Sequence, residues 1–362
     1  MRVKYHSGNE TQHVLKRTGV LYAFGAAALF GASTPLAKLL LGNVDPLLLA
    51  GMLYLGSGLG LAIVGAAMNR FAMKSDARLS LDDMPWLIGA IFCGGLIGPI
   101  LLMIGLNSTP ASVASLLLSM EGVMTAAIAW IVFRENFDKR IAFGMTCIVA
   151  GAAILAYQGF DRIDSVVGPL AIIGACLAWG VDNNLTRNIS LSDPIQIAML
   201  KGLVSGVISL GIAFSVGARL PHFDVAIAAA FVGLFGYGIS LVLFVLALRH
   251  LGTARTGAYF STAPFLGAAI ALQLNGDALT PQFAVAGTLM AVGVWAHLTE
   301  WHVHEHTHED LEHEHSHVHD IHHQHTHAEL DPPGAPHLHH HAHLRLRHSH
   351  PHVPDAHHRH SH

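Results

Sequence analysis

From Gly19 to Glu300 the chain alternates between long apolar runs and short polar connections. Crossing a bilayer takes about 20 mostly apolar residues in a helix, because about 30 Å of hydrocarbon must be covered at about 1.5 Å per residue. Runs of that length lie near 19–41, 46–68, 84–106, 110–133, 139–158, 168–190, 194–216, 224–248, 254–275 and 281–300. They predict an all-α integral membrane protein of ten transmembrane helices. After Trp301 the pattern changes: histidine alternates with small, polar and acidic residues, and no long apolar run returns. A segment unable to bury apolar surface builds no hydrophobic core, and "DPPGAP", Asp331 to Pro336, interrupts it further. Residues 301–362 are therefore expected to form a disordered tail.

Composition sharpens that division. The chain is 52% hydrophobic and 12% charged, whereas soluble domains carry about 25% charged residues. Of its 29 histidines, only His6, His13, His222, His250 and His297 precede residue 301. Cys93, Cys147 and Cys176 all fall inside apolar runs, where a thiol packs as a small hydrophobe, so no disulfide framework is implied. Arg2, Lys4, Lys16 and Arg17 precede a first apolar run too long for a signal-peptide core and without a clear cleavage site. That run is expected to be retained as the first span.

Lysine and arginine accumulate in cytoplasmic loops. They gather in residues 1–18, after span 2 (Arg70, Lys74, Arg78), after span 4 (Arg134, Lys139, Arg140) and around the connection after span 8 (Arg249, Arg255). The opposite loops hold little beyond Arg162 and Arg219. Both termini, and the histidine tail, are expected on the cytoplasmic side of an inner cell membrane.

Self-comparison shows a duplication. "GVLYAFGAAALFGASTPLAK" from Gly19 aligns without gaps on "GPLAIIGACLAWGVDNNLTR" from Gly168, an offset of 149 that matches Gly25 with Gly174, Gly31 with Gly180, and Lys38 with Arg187. Asp45-Pro46 then meets Asp193-Pro194, and Glu135 and Gly151 meet Asp277 and Gly293. The chain divides into residues 1–18, a first five-helix repeat at 19–159, a second at 168–300, and the tail at 301–362. Because five is odd, the second repeat enters the membrane from the opposite face, giving inverted halves of the kind that support alternating access.

These residues carry a resemblance. "LFGASTPLAK" in span 1 and "TPASVASLLLSMEGVMTAAIAWIVFRENFDKRIAFGMTCIVAGAAIL" across spans 4 and 5 resemble the EamA family of the drug/metabolite transporter superfamily, and "LGTARTGAYFSTAPFLGAAIALQLNGDALTPQFAVAGTLMAVGV" repeats the signature more weakly. The family typically has Glu-Pro in the middle of span 4 and Gly-Glu at its end. Here the halves read Glu121-Gly122 with Arg134-Glu135, and Ala263-Pro264 with Gly276-Asp277. The resemblance covers about residues 19–300 and implies a secondary carrier, often an exporter, of a small metabolite rather than an enzyme. It also implies a central cavity lined by spans 1, 3, 4, 6, 8 and 9.

A charge at mid-membrane costs about 2.5–3.5 kcal/mol on insertion scales, so each ionisable group there needs a reason. Glu121 lies near the middle of span 4. It reads as a proton-coupling or substrate-binding carboxylate, with a hydrogen-bonded structural carboxylate as the alternative. Asp182, Asn183 and Asn184 in span 6 align with Ser33, Thr34 and Pro35 in span 1. Polar residues and a proline at equivalent depths suggest discontinuous helices lining a site, or else interhelical hydrogen bonds that only hold the bundle together. Substrate and coupling candidates are thus Glu121, Asp182, Asn183, Asn184, Thr34 and Pro35. Lys38, Arg187 and Lys201 read as basic side chains reaching for the interface, and Trp130, Trp179 and Trp295 as belt or cavity-wall aromatics. No Gly-rich loop ends in Lys-Ser/Thr, so no ATP site is indicated.

In the tail, His302, His304, His306, His308, His313, His315, His317, His319, His322, His323, His325 and His327 form a candidate metal-binding run, interleaved with Glu305, Glu309, Asp310, Glu312, Glu314 and Asp320. Neutral imidazole ligates Zn²⁺, Ni²⁺, Co²⁺ and Cu²⁺, and an ordinary histidine titrates near about 6.5, so most would be available at neutral pH. The core offers Glu121 and Asp182 but no intramembrane histidine near either, so the tail reads as an accessory to a carrier body. Three functions stay open: a metabolite transporter with a metal-binding tail, a transition-metal or metal-chelate transporter fed or regulated by that tail, and a membrane-anchored metal sensor. No cofactor is required. The expected partners are a small-molecule substrate, the lipid bilayer and divalent metal ions; a homodimer is compatible, and no nucleic acid is expected.

Overall fold

A computed structural model of the chain describes residues 8–42, 44–70, 79–133, 139–157, 164–189, 192–251 and 253–298, and in the tail 303–307, 311–317, 337–343 and 347–351. Among these, eight helices are long and apolar enough to cross a membrane: α1 (Thr18–Leu41), α2 (Pro46–Ala67), α3 (Leu81–Ser108), α4 (Ala111–Val132), α5 (Lys139–Ala156), α6 (Val166–Ile189), α7 (Pro194–Ser215) and α8 (Phe223–Ala247). Two shorter apolar spans complete the body. They are α9, in two pieces Thr253–Phe260 and Ala263–Leu274, and α10 (Pro281–Leu298). Outward positions such as Leu21, Ile63, Ile131 and Phe231 are largely exposed, as expected of side chains that face lipid.

The Asp-Pro pair shared by the halves does the same work in each. Asp193 caps α7, its carboxylate accepting from the amides of Ile195 at 2.8 Å and Gln196 at 3.4 Å. Asp45 accepts from Leu47 at 2.9 Å and Leu48 at 3.3 Å at the start of α2. In both, proline opens the helix, where its missing N–H leaves nothing unsatisfied.

The packing maps onto itself when the halves are exchanged. α2 lies against α7, α4 against α9 and α5 against α10, while α1 packs on α8 and α9 as α6 packs on α3 and α4. The irregularities map as well. α3 carries a π-helical stretch at Ile91–Ile97 and α8 one at Leu234–Ile239. α4 breaks at Leu118 and Ser119, and α9 at Ser261 and Thr262.

These breaks are not where the sequence pattern placed them. α1 runs unbroken through Pro35 and α6 through Asp182–Asn184. Two polar side chains of α6 also bond within their own helix, Asn184 Nδ2 donating to the Gly180 carbonyl at 2.8 Å and Thr186 Oγ1 to Asp182 Oδ1 at 2.9 Å, which reinforces the turn instead of opening it.

In the tail, β1 (Val303–Thr307) pairs antiparallel with β4 (Arg347–Pro351), and β2 (Leu311–His317) pairs antiparallel with β3 (His337–His343). These four segments are the described part of the tail, and they pair as two nested ladders. The alternation of histidine with other residues has the period of a strand, and pairing satisfies backbone groups that a polar chain cannot bury.

Candidate functional site

Between the two halves lies a cavity of about 90 Å³. Phe30 of α1 anchors its aromatic wall, standing edge-on to Trp179 of α6 and Tyr237 of α8 with ring centroids 6.1 Å apart in each case, and 5.4 Å from Phe260 of α9. Tyr54 of α2 meets Tyr237 at 5.3 Å, and Phe244 of α8 meets Phe260 at 4.8 Å. The lining differs from that implied by resemblance. α2 and α7 contribute Tyr54, Ser57, Ala198, Lys201 and Gly202, whereas no residue of α3 lines the space. α3 instead supports the wall: its Gly94 carbonyl accepts from Tyr54 Oη at 2.8 Å and Trp179 Nε1 at 3.0 Å. Gly94 also leaves no room for a side chain, since a Cβ there would collide with the Asp182 carboxylate.

Three charged groups reach this cavity: Glu121, Asp182 and Lys201. Glu121 occupies the first turn of the half-helix that restarts after the α4 break, and its Oε1 accepts from Asn183 Nδ2 at 2.8 Å. Asn183 also donates to Thr125 Oγ1 at 3.2 Å. Asp182 forms an ion pair with Lys201 through Oδ2, both side chains almost wholly buried. The carboxylate of Asp182 and the ammonium of Lys201 offset one another, so the ionised cavity carries one excess negative charge, at Glu121.

The sequence profile of the EamA-like transporter family matches the chain twice, at residues 17–157 and 166–299. The chain belongs to the EamA-like transporter family. It is a multi-pass membrane protein of a transporter family, and its relatives are named accordingly. An uncharacterized transporter of Methanothermobacter thermautotrophicus is 27% identical over 302 residues, covering 79% of this chain and 88% of the relative. The uncharacterized transporter YvbV of Bacillus subtilis is 28% identical over 54% of this chain and 62% of its own length. A probable 4-amino-4-deoxy-L-arabinose-phosphoundecaprenol flippase subunit, ArnE, of Pseudomonas fluorescens is 31% identical over 27% of this chain and 89% of its own. A solved crystal structure with a TM-score of 0.57, at 19% identity over 77% of this chain and 94% of that one, shares the fold.

Within this EamA-like body the candidate residues separate. Glu121, Asp182 and Asn183 line the cavity. Asn184 is buried behind it, bridging α6 to α4 through a 3.1 Å bond to the Thr125 carbonyl. Thr34 and Pro35 are buried but do not line it; the Pro35 carbonyl accepts from Nδ2 of Asn275, the residue that follows α9, at 3.3 Å. Two basic residues have other roles than reaching for the interface. Lys38 donates to the Leu106 and Asn107 carbonyls at 2.6 and 3.1 Å, capping the end of α3. Lys201 is the buried partner of Asp182, a pairing that the gap of 19 residues hides from any local reading. Trp179 belongs to the cavity wall, while Trp130 and Trp295 are exposed on the outside.

Among the described side chains, all of which belong to the helical body, no group of three or more histidine, cysteine or acidic residues could hold a metal ion. Of the tail candidates, His304, His306, His313, His315 and His317 fall on β1 and β2; His302, His308, His319, His322, His323, His325 and His327 lie outside the described residues, as do Arg134 and Glu135 at the end of α4.

Proposed function

We propose that this protein is a secondary transporter that moves a small organic molecule across an inner cell membrane by alternating access, in the export direction, with both termini in the cytoplasm and a tail that binds divalent transition metal. The observation that carries this reading is the cavity between equivalent halves, in which Glu121 stands as the excess charge among aromatic faces. Such a surface suits a substrate with an apolar or aromatic body and a cationic or hydrogen-bond-donating end, because ring faces and a carboxylate both attract positive charge.

Glu121 is the coupling group. Proton and substrate compete for one carboxylate, so each crosses only when the other has left, and a proton gradient directed inward drives substrate outward. Asn183 orients the carboxylate, and the Asp182–Lys201 pair fixes α6 against α7 beside it.

The test is substrate-driven proton movement in proteoliposomes, using a panel of organic amines and other small metabolites. The wild type is expected to exchange at least one of them for protons, and Glu121→Gln to abolish proton coupling while retaining the wild-type thermal unfolding midpoint. Wild-type pH dependence of transport in Glu121→Gln would remove the assigned role.

A further inference from the structure

The two tail ladders bring together histidines far apart in sequence. In the first, His304 stands opposite His350 and His306 opposite His348. In the second, His313 stands opposite His341, His315 opposite His339 and His317 opposite His337. Every histidine of β1 and β2 thus has a histidine as its cross-strand partner. Positions two apart share a face, so the five rungs fall on one face of each ladder. The other face carries Glu305 opposite Ser349, Glu312 opposite Ala342, Glu314 opposite His340 and Ser316 opposite Leu338.

We propose that these paired strands form a histidine ladder that takes up divalent transition-metal ions, with β3 and β4, residues 337–351, supplying half of each site. This rests on the reading of the tail as a metal binder and adds where the ligands come from. Directly opposed positions in an antiparallel pair have Cβ atoms about 4.5–5.5 Å apart, and rungs on one face follow at about 6.7 Å. Two imidazoles on one tetrahedral zinc have nitrogens about 3.3 Å apart, given bonds of about 2.0–2.1 Å. The register therefore places two histidines of one rung, and four of two neighbouring rungs, within the span of a single ion's ligand set.

The first ladder holds one such set of four. The second holds another, with one rung to spare. The stoichiometry expected is two tightly held ions per chain and a third held more weakly. All-imidazole ligation selects Zn²⁺, Ni²⁺, Cu²⁺ and Co²⁺ over Mg²⁺ and Ca²⁺, which prefer oxygen. Binding and strand pairing reinforce each other, because an ion bridging β2 to β3 offsets the entropy of bringing together two segments distant in sequence.

The experiment uses the full-length protein in detergent, with Zn²⁺ and Ni²⁺ uptake measured by equilibrium dialysis. One variant exchanges neighbours on β3, Leu338→His with His339→Leu and His341→Ala with Ala342→His. It keeps every residue count and moves two rungs off the ladder face. Tight uptake is expected to fall from two ions to one. Unchanged stoichiometry and affinity would overturn the ladder and leave a binder that depends on composition alone. A chain ending at Glu300 is expected to lose the tight uptake; if the wild type takes up no more metal than that chain, the metal-binding reading of the tail fails together with the ladder. Register is checked independently by Glu305→Cys with Ser349→Cys, whose disulfide is expected to form faster with Zn²⁺ present than with a chelator; equal rates would count against metal-locked pairing. An unchanged thermal unfolding midpoint in every variant shows that the helical body is intact.

Discussion

Glu121 is tolerated in the middle of the bundle because two local features offset its burial. A carboxylate in the first turn of a helix gains about 0.3–1 kcal/mol from the helix dipole, and up to about 2 where partly buried. A hydrogen bond to a charged group contributes about 1.5–3 kcal/mol, here from Asn183. Together these are of the same order as the insertion penalty of about 2.5–3.5 kcal/mol. Asn183→Leu, which removes the donor, is expected to lower substrate-driven proton movement in proteoliposomes, since the Glu121 carboxylate loses the group that orients it. Asp182 and Lys201 are held differently, as a buried pair with side chains only 6% and 7% exposed. Removing one partner of such a pair costs about 3–5 kcal/mol, whereas replacing both with apolar residues is about neutral. Lys201→Met should therefore unfold at a much lower temperature than wild type, and Asp182→Leu with Lys201→Met should recover most of the loss. Equal loss in the single and double variants would show that the pair does not act as a unit.

At the level of the elements, the π-helical stretches of α3 and α8 and the breaks of α4 and α9 surround the cavity from related positions. A π turn releases a backbone carbonyl from the regular ladder, and in α3 the Gly94 carbonyl serves Tyr54 and Trp179 at once. Because a Cβ at Gly94 would strike Asp182, Gly94→Ala is expected to destabilise by about 1–3 kcal/mol, the usual cost of overpacking. It should also weaken substrate binding by displacing the aromatic wall. Thermal unfolding and substrate titration followed by Trp179 fluorescence measure the two effects, and Gly122→Ala, at a position with open space around it, is the control that should do neither. The α2–α7 crossing is equally close: a Cβ on Gly202 would stand 2.6 Å from the Gly58 amide nitrogen. Bulk there would push the halves apart.

The molecule as a whole is a two-fold body with an asymmetric charge set and a tail of separate chemistry. Exchange of halves preserves the packing but not the residues. Asp182 corresponds to Ser33 and Glu121 to Ala263, so one half supplies Glu121 and the other the ion pair. The described tail strands pair with each other, and a chain ending at Glu300 is expected to unfold at the wild-type temperature in chelator and to keep its organic substrate flux. A fall in either would tie the tail to the carrier. The spans were legible in the sequence because hydrocarbon thickness and the absence of water impose them on every stretch of about 20 residues independently, whatever its neighbours; the repeat was legible from self-comparison and the family from the resemblance of its motifs. The cost of burying Glu121 could be read for the same reason, since it depends on the run of apolar residues around it alone. The pairing of Lys201 with Asp182, the support of the wall by α3, the entry of α2 and α7 into the lining, and the opposition of His313–His317 to His337–His341 depend on which segments meet. Contact between distant segments follows from packing and register, which no local pattern of apolar and polar residues specifies, and only the tertiary structure decided it.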